Sequence, residues 1–334
     1  MEIYKRNLRK KFMKKEDLRI VFMGTPEFAT ESLKALYEEG FNISAVITAP
    51  DKPAGRGKQL QQSNVKKYAL ENNLKILQPK NLKASEFISE LKELNANLQI
   101  VVAFRMLPEI VWSMPKFGTI NLHASLLPQY RGAAPINHAI MNGEKQTGIT
   151  TFFIEKEIDT GKIIMQEEVE ILWDENAGQL HNKLMYKGGK LIVKTVDALI
   201  NDDYKAISQK ELMKKINVIK TANKIFKHDC EINWAQNTEK IYNFIRGLSP
   251  YPGAWTHIKD QRGKIKILKI FSTDIITEKL NEKPGEIYTD NKNYIKITTI
   301  DGCLNIKELQ TEGKRKMNVK ELLNGINFGN YSIK

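Results

Sequence analysis

The first hundred residues alternate short apolar runs with amphipathic stretches, and that rhythm leaves the chain very few architectures. Arg19-Ile-Val-Phe-Met23 is a strand-length apolar run that ends at Gly24. Thr25-Pro26-Glu27 then opens an amphipathic segment closed by Gly40, with Pro26 placed as a first-turn proline. Strand signals return at 43–48, 74–77 and 98–103, with helix signals at 65–73 and 86–94 between them. Successive βαβ units require a mostly parallel sheet with right-handed crossovers. The expected fold of this part is a Rossmann-like, doubly wound α/β sheet. It lacks a dinucleotide fingerprint, because the first turn, Gly24-Thr-Pro-Glu-Phe-Ala29, holds one glycine where three are needed for close approach of a pyrophosphate. NAD binding is excluded on that ground.

The next strand carries chemistry. Gly118-Thr-Ile-Asn-Leu-His123 continues as Ala-Ser-Leu-Leu-Pro128 and then Gln-Tyr-Arg-Gly-Ala-Ala-Pro135. Residues i and i+2 of a strand point to one face, so Asn121 and His123 project side by side. Asp159-Thr-Gly161 follows 36 residues after the histidine, between strand-like runs at 148–154 and 162–171. A carboxamide can hold a developing oxyanion, an imidazole moves protons near neutral pH, and a carboxylate orients or recharges the imidazole. That set suits acyl or formyl transfer. Asn-x-His alone is common, and a histidine among apolar residues is ordinarily a structural hydrogen-bonding group. Weight comes from context, since the strand breaks into a long loop just after the pair, where open α/β sheets place their sites.

Beyond a long amphipathic helix at 178–200, residues 204–221 are polar and lysine-rich and read as a linker. A helix at 235–248 follows, then five short strand signals at 254–258, 264–271, 285–288, 295–299 and 303–309, which predict a small barrel of the oligonucleotide-binding type. The expected domains are a basic tail at 1–18, a catalytic body at 19–203, the linker, and the barrel at 222–334. Charge follows the same division. Of a net +13, residues 19–204 hold 21 Lys and Arg against 22 Asp and Glu, whereas residues 205–334 hold 24 against 14. Such an excess suits a polyanionic partner, with nucleic acid ahead of an anionic membrane, although a lysine-rich composition on solvated faces explains it equally well. Arg262, Lys264, Lys266 and Lys269 are expected to make one basic edge of the barrel.

The remaining features set limits. Cys230 and Cys303 are too few for a disulfide framework and lack metal-site spacing, which points to a reducing compartment, the cytoplasm, and to no metal. No run of 18 apolar residues exists, and residues 1–18 have no apolar core of a secretory signal, so neither a membrane nor export is expected. That tail is read as disordered, with Met13 an alternative start. His138, His181, His228 and His257 take surface or capping roles in this reading, and the four tryptophans take packing roles. Nothing in the sequence demands more than a monomer.

Four segments together resemble a known family. They are residues 19–29, the loop Ala49-Pro-Asp-Lys-Pro-Ala-Gly-Arg-Gly-Lys-Gln-Leu60, the stretch 121–136, and Glu157-Ile-Asp-Thr-Gly161. The chain from Arg19 to its end is similar to the 10-formyltetrahydrofolate-dependent formyltransferase family, and within it to the branch acting on methionyl-tRNA. The resemblance implies a formyl transfer from 10-formyltetrahydrofolate to methionyl initiator tRNA, with Asn121, His123 and Asp159 as the catalytic set. It implies folate contacts from Ser125, Leu126, Leu127 and Pro128, and a pterin pocket lined by Phe104, Arg105 and Leu107. It also implies tRNA contacts from Arg56 and Lys58 in the loop, and from Arg262, Lys264 and Lys266 in the barrel. Two positions depart from the family pattern. Ala103-Phe-Arg-Met-Leu-Pro108 is one residue short and lacks a glycine, and Asn64 stands where a proline is usual. A formyltransferase for a small amine, such as glycinamide ribonucleotide or an amino sugar nucleotide, is the alternative within the fold. A tRNA-binding protein with a silent folate site is the alternative outside enzymology.

Overall fold

A computed structural model describes residues 14–54, 59–214, 216–277 and 283–334. Arg56, Lys58 and residues 1–13 of the basic tail lie outside the described residues. The contacts divide the chain into two compact units that interleave in sequence. The first takes Met1–Arg131, Gly148–Val169 and Asn182–Ile219, and the second Gly132–Thr147, Glu170–His181 and Lys220–Lys334.

In the first unit the apolar runs become β1 (Ile20–Gly24), β2 (Ile43–Ile47), β3 (Ile76–Leu77), β4 (Leu98–Val102), β5 (Thr119–His123), β6 (Gln146–Phe153) and β7 (Ile163–Glu170). They form one sheet in the order β7-β6-β5-β4-β1-β2-β3. β1 pairs in parallel with β2 and β4, β2 with β3, and β4 with β5; β5 and β6 are antiparallel. The chain winds outward from β1 on one side, then returns to start the other half at β4. That reversal, between β1 and β4, is the switch point of a doubly wound sheet, and β5 follows β4 with its carboxyl end on the same edge. All residues of β1 and β4 are buried, as expected of strands covered on both faces.

The helices supply that cover. α1 (Glu27–Glu38) buries Phe28, Ala29, Leu33 and Leu36 at helical spacing, and α2 (Asn64–Glu71) and α3 (Ser85–Glu93) repeat the pattern. Asn64 opens α2, and Ser63 caps it by accepting from Lys66 N at 3.0 Å, so the helix starts without the family's proline. The long helix α4 (Ala177–Ile200) crosses the face of β5 opposite Asn121 and His123. A Cβ at Gly188 would sit 2.7 Å from Leu122 Cδ2, so a larger residue there would have to displace the Leu122 side chain. Burying Leu184, Leu191, Ile192 and Val196 along α4 contributes about 1.5–3 kcal/mol each.

Residues 204–221 carry more structure than a linker requires. Ile207 exchanges backbone hydrogen bonds with Ile163 of β7 at 2.8 and 2.9 Å, and α5 (Gln209–Met213) follows at once. Lysines hide this in the sequence, and within α5 Gln209, Leu212 and Met213 turn inward while Lys210 and Glu211 are exposed.

In the second unit, α6 (Thr238–Gly247) packs beside an antiparallel sheet. Its strands are β8 (Ala254–Asp260), β9 (Ile265–Ile276), β10 (Ile287–Thr289), β11 (Ile295–Thr298), β12 (Cys303–Thr311), β13 (Met317–Asn318) and β14 (Tyr331–Ile333). The order is β10-β11-β12-β9-β8-β14, with β13 on β12, and the edges β10 and β14 approach each other to give a nearly closed barrel. Inward residues at period 2, among them Ile258, Leu268, Ile270, Ile297, Leu304 and Ile306, fill it. Trp234 and Trp255 are buried here, their indole N–H groups donating to Thr256 Oγ1 and Lys227 O. The helix Pro135–Met141 also belongs to this unit, its Asn137 side chain donating to Gly247 O at 2.7 Å.

Candidate active site

Asn121 and His123 leave β5 on the same face, as the strand period requires. His123 is only 7 % exposed, and its ring is anchored at one nitrogen and faces a carboxylate at the other. Nε2 lies 2.9 Å from Tyr130 O. A carbonyl oxygen only accepts, so Nε2 carries a proton and donates it there. Nδ1 is therefore the atom left to gain or lose a proton, and it faces Asp159 Oδ2 at 3.8 Å. The fold thus closes a separation of 36 positions into one pair. Asn121 is half-buried, and among the described residues no hydrogen bond claims its carboxamide, so its two N–H groups remain free to donate.

The Asp159 turn is tightly determined. Asp159 adopts φ of 55°, a left-handed conformation that aspartate tolerates better than most residues. A Cβ at Gly161 would fall 1.7 Å from Phe153 O, which makes glycine obligatory in the Asp-Thr-Gly turn. Arg131, at the end of the loop after β5, lies near both Asp159 and Glu157; burial lowers its guanidinium pKa while the two carboxylates oppose that shift.

The loop from Ser125 to Pro128 is held from below by Thr150 of β6. The Thr150 hydroxyl donates to Ser125 O at 2.7 Å and accepts from Leu127 N at 3.2 Å and Gln166 Nε2 at 2.9 Å. Ser125 Oγ donates to Gln129 O at 2.6 Å. Ser125, Leu127 and Pro128 are buried and only Leu126 keeps part of its side chain accessible. Leu127 joins Phe152, Ile163 and Leu212 in a small core, so these side chains shape the loop.

At the end of β4, next in the sheet, Ala103 has φ of 45°, a strained value for alanine just where the family pattern differs. A cavity of about 460 Å³ opens beyond it, lined by residues 80–83 and 105–108. Arg105 and Leu107 both line this cavity, and Phe104 packs under the Arg105 guanidinium at 5.5 Å. Arg105 is anchored by donating to Lys80 O and Pro79 O.

The expected tRNA residues are separated. Arg56 and Lys58 fall between the paired arms Lys52–Ala54 and Gln59–Gln61, outside the described residues, so the structure gives the base of their hairpin only. That base is fixed by Asp51, which accepts from Lys66 Nζ at 2.6 Å and Gln78 Nε2 at 2.8 Å; the Lys66 bond holds the Asp51 carboxyl below its usual range. Arg262 and Lys264 are exposed at the turn between β8 and β9, where Asp260 Oδ1 accepts from both backbone N–H groups. Lys266 lies over the Tyr331 ring at 5.8 Å. Lys269 does not share their edge. An odd step along a regular strand turns it to the other face, where it lines a separate cavity of about 710 Å³ with Ile267 and Trp255.

Sequence reasoning missed Gln209. It is 1 % exposed, and its amide reaches the Asp159 turn. The available signal was weak: Ser208 at a helix start with an apolar pair at 212–213. Among the described residues no helix is long and apolar enough to cross a membrane.

A doubly wound sheet of this order followed by an antiparallel barrel is the architecture of a formyl transferase. Residues 18–196 match the formyl transferase family, and residues 224–327 match the formyl transferase C-terminal domain. Methionyl-tRNA formyltransferase of Bacteroides thetaiotaomicron is 54% identical over 313 residues, which cover 94% of this chain and 97% of the relative. That of Flavobacterium johnsoniae is 51% identical, with 94% and 98% covered. Among solved structures, the Helicobacter canadensis N-formyltransferase in complex with folinic acid and dTDP-3-aminofucose is similar at 21% identity and a TM-score of 0.59, with 90% of this chain and 100% of that one covered. HypX from Aquifex aeolicus in complex with tetrahydrofolic acid gives 17% and 0.60, with 92% and 47% covered. The chain belongs to the methionyl-tRNA formyltransferase family.

Proposed function

We propose that this enzyme transfers the formyl group of 10-formyltetrahydrofolate to the free α-amine of methionyl initiator tRNA, with Asn121, His123 and Asp159 as its catalytic residues. The near full-length identity with methionyl-tRNA formyltransferases carries the choice of substrate. The His123–Asp159 pair beside Asn121 supports the choice of residues.

The neutral α-amine attacks the formyl carbon, and negative charge gathers on the formyl oxygen. The Asn121 carboxamide donates to that oxygen, a contribution of about 3–4 kcal/mol for one well-placed donor. His123, fixed through Nε2 to Tyr130 O, works through Nδ1. In its protonated form it stabilises the oxyanion and gives its Nδ1 proton to departing N10. Asp159 offsets the imidazolium charge and takes the proton lost by the amine, directly or through water. Each proton lost by one partner is gained by another, and both protein groups return to their starting state when Asp159 passes its proton back to Nδ1.

Leu126, Phe104, Arg105 and Leu107 border the folate, with Ser125, Leu127 and Pro128 shaping the loop beneath it. Arg56, Lys58, Arg262, Lys264 and Lys266 serve the tRNA phosphates. Residues 222–334 form the tRNA-binding part and 19–203 the catalytic part, working as a monomer in the cytoplasm. One assay decides the reading: formylation of methionyl-tRNA, glycinamide ribonucleotide and an amino sugar nucleotide by the purified chain with 10-formyltetrahydrofolate. Methionyl-tRNA is the expected acceptor, and turnover of a small amine in its place contradicts the proposal.

A further inference from the structure

Gln209 spends its whole side-chain amide on two neighbours. Nε2 donates to Asp159 O at 2.9 Å and to Gly161 O at 2.8 Å, so it spans both ends of the Asp-Thr-Gly turn. Oε1 accepts from Arg131 Nε at 3.0 Å and Nη2 at 2.6 Å, a forked contact that only a guanidinium supplies. The group is 1 % exposed and every donor and acceptor is used. Arg131 in turn ends the loop whose Tyr130 carbonyl fixes His123 Nε2. One amide thus ties the carboxylate's turn to the imidazole's loop. The left-handed backbone of Asp159 is a conformation that persists only where its surroundings over-determine it, and Gln209 is what grips that backbone from outside the turn.

The geometry points to Gln209 as a positioning residue that sets the Asp159 carboxylate against His123 Nδ1. It touches no substrate and acts only through Asp159 and Arg131. The inference rests on the catalytic role proposed for Asp159. It makes the segment 207–213 part of the transfer machinery: Ile207 is stapled to Ile163, Leu212 sits in the core under Leu127, and Gln209 lies between them. A carboxylate displaced by a fraction of an ångström would leave both substrates bound and the proton transfer slow.

A double-mutant cycle on the full chain tests this with methionyl-tRNA and 10-formyltetrahydrofolate. Gln209→Met keeps the volume and removes all four hydrogen bonds. Its expected result is a fall in kcat of at least about tenfold, with KM for either substrate changed less than about twofold, in the range of a lost orienting contact. In an Asp159→Asn background the same substitution should change kcat by less than about twofold, because the group it positions is already gone. An equal fall in both backgrounds, or no fall in the parent, overturns the inference. Where Gln209→Met does not yield folded protein, Gln209→Asn enters the same cycle with the same criteria; being one methylene shorter, it reaches either Arg131 or the turn carbonyls. The two readings fail separately. If Asp159→Asn turns over like the parent, the catalytic role of Asp159 falls and the positioning role with it, whereas a slow Asp159→Asn with an additive cycle removes Gln209 alone.

Discussion

The Asp159 turn and the turn between β8 and β9 both present charged side chains on tight loops, yet they are built in opposite ways. Around Asp159 the backbone and the imidazole are anchored from several sides: His123 through Tyr130 O, the turn through Gln209, the neighbouring loop through Thr150. Around Arg262 and Lys264 the backbone is fixed by Asp260, but the cationic side chains are exposed. Proton transfer requires placement to a fraction of an ångström, so its groups are over-determined. Phosphate recognition requires charge of the right sign along a surface, and each contact is individually weak and screened by salt. In the proposed division the anchored polar network serves the chemistry, and the exposed cations on a rigid frame serve the polyanion.

That contrast breaks if substitutions at the two places have the same kinetic signature. Replacing Asn121, His123 or Asp159 by alanine should lower kcat at least about 100-fold each, with KM little changed, as expected of groups acting in the transition state. Steady-state formylation kinetics measures this, and near-parental turnover in any of the three removes that residue from the set. Arg56→Ala should lower kcat/KM for tRNA about tenfold, the worth of one charged hydrogen-bonding contact, with folate KM unchanged. Unchanged tRNA kinetics would take the hairpin out of recognition. Arg262→Ala combined with Lys264→Ala should lower kcat/KM for tRNA only a few-fold at low salt, and should reduce the slope of log affinity against log salt by about 1–2. A parental slope would show that this turn does not meet phosphate.

The smallest effect concerns the hairpin base. The Lys66 and Gln78 bonds lower the Asp51 pKa from the ordinary 3.8, so in the folded chain it ionises at lower pH than in the unfolded chain. A depressed carboxylate stabilises above its unfolded value and loses that contribution as pH falls through the folded value. Asp51→Asn should therefore flatten the acid side of the stability curve below about pH 4 and leave stability near pH 7 slightly reduced, read by chemical denaturation. An unchanged acid limb would mean the contact does not form in solution.

Much of this was legible from local patterns. The period of apolar residues announced the doubly wound sheet because strands covered on both faces must be apolar throughout, and β1 and β4 are. Asn121 and His123 were readable because strand geometry places i and i+2 together regardless of tertiary context. The link from His123 to Asp159 was suggested by residue type and family likeness, and the 3.8 Å approach is a property of the folded chain. Gln209 was hidden for a physical reason. Two of its partners are backbone carbonyls, which leave no trace in a sequence, the third is Arg131, 78 residues away, and its neighbours Lys210, Glu211 and Lys214 make the stretch look like solvent-exposed linker. Lys269 was grouped with Lys264 and Lys266 by proximity in sequence, whereas the strand period sends it to the other face. The compact units failed to follow a linear division because the helix Pro135–Met141 and residues 170–181 pack with the second unit.

The most direct test sets the two regions side by side in single-turnover formylation of methionyl-tRNA at saturating 10-formyltetrahydrofolate and saturating enzyme. Asp159→Asn should slow the transfer step at least about 100-fold, while the Arg262→Ala, Lys264→Ala variant transfers at the parental rate once tRNA is saturated. A parental rate in Asp159→Asn, or a transfer step slowed equally in the barrel variant, would contradict the proposed division of labour between the anchored Asp159 turn and an exposed basic surface.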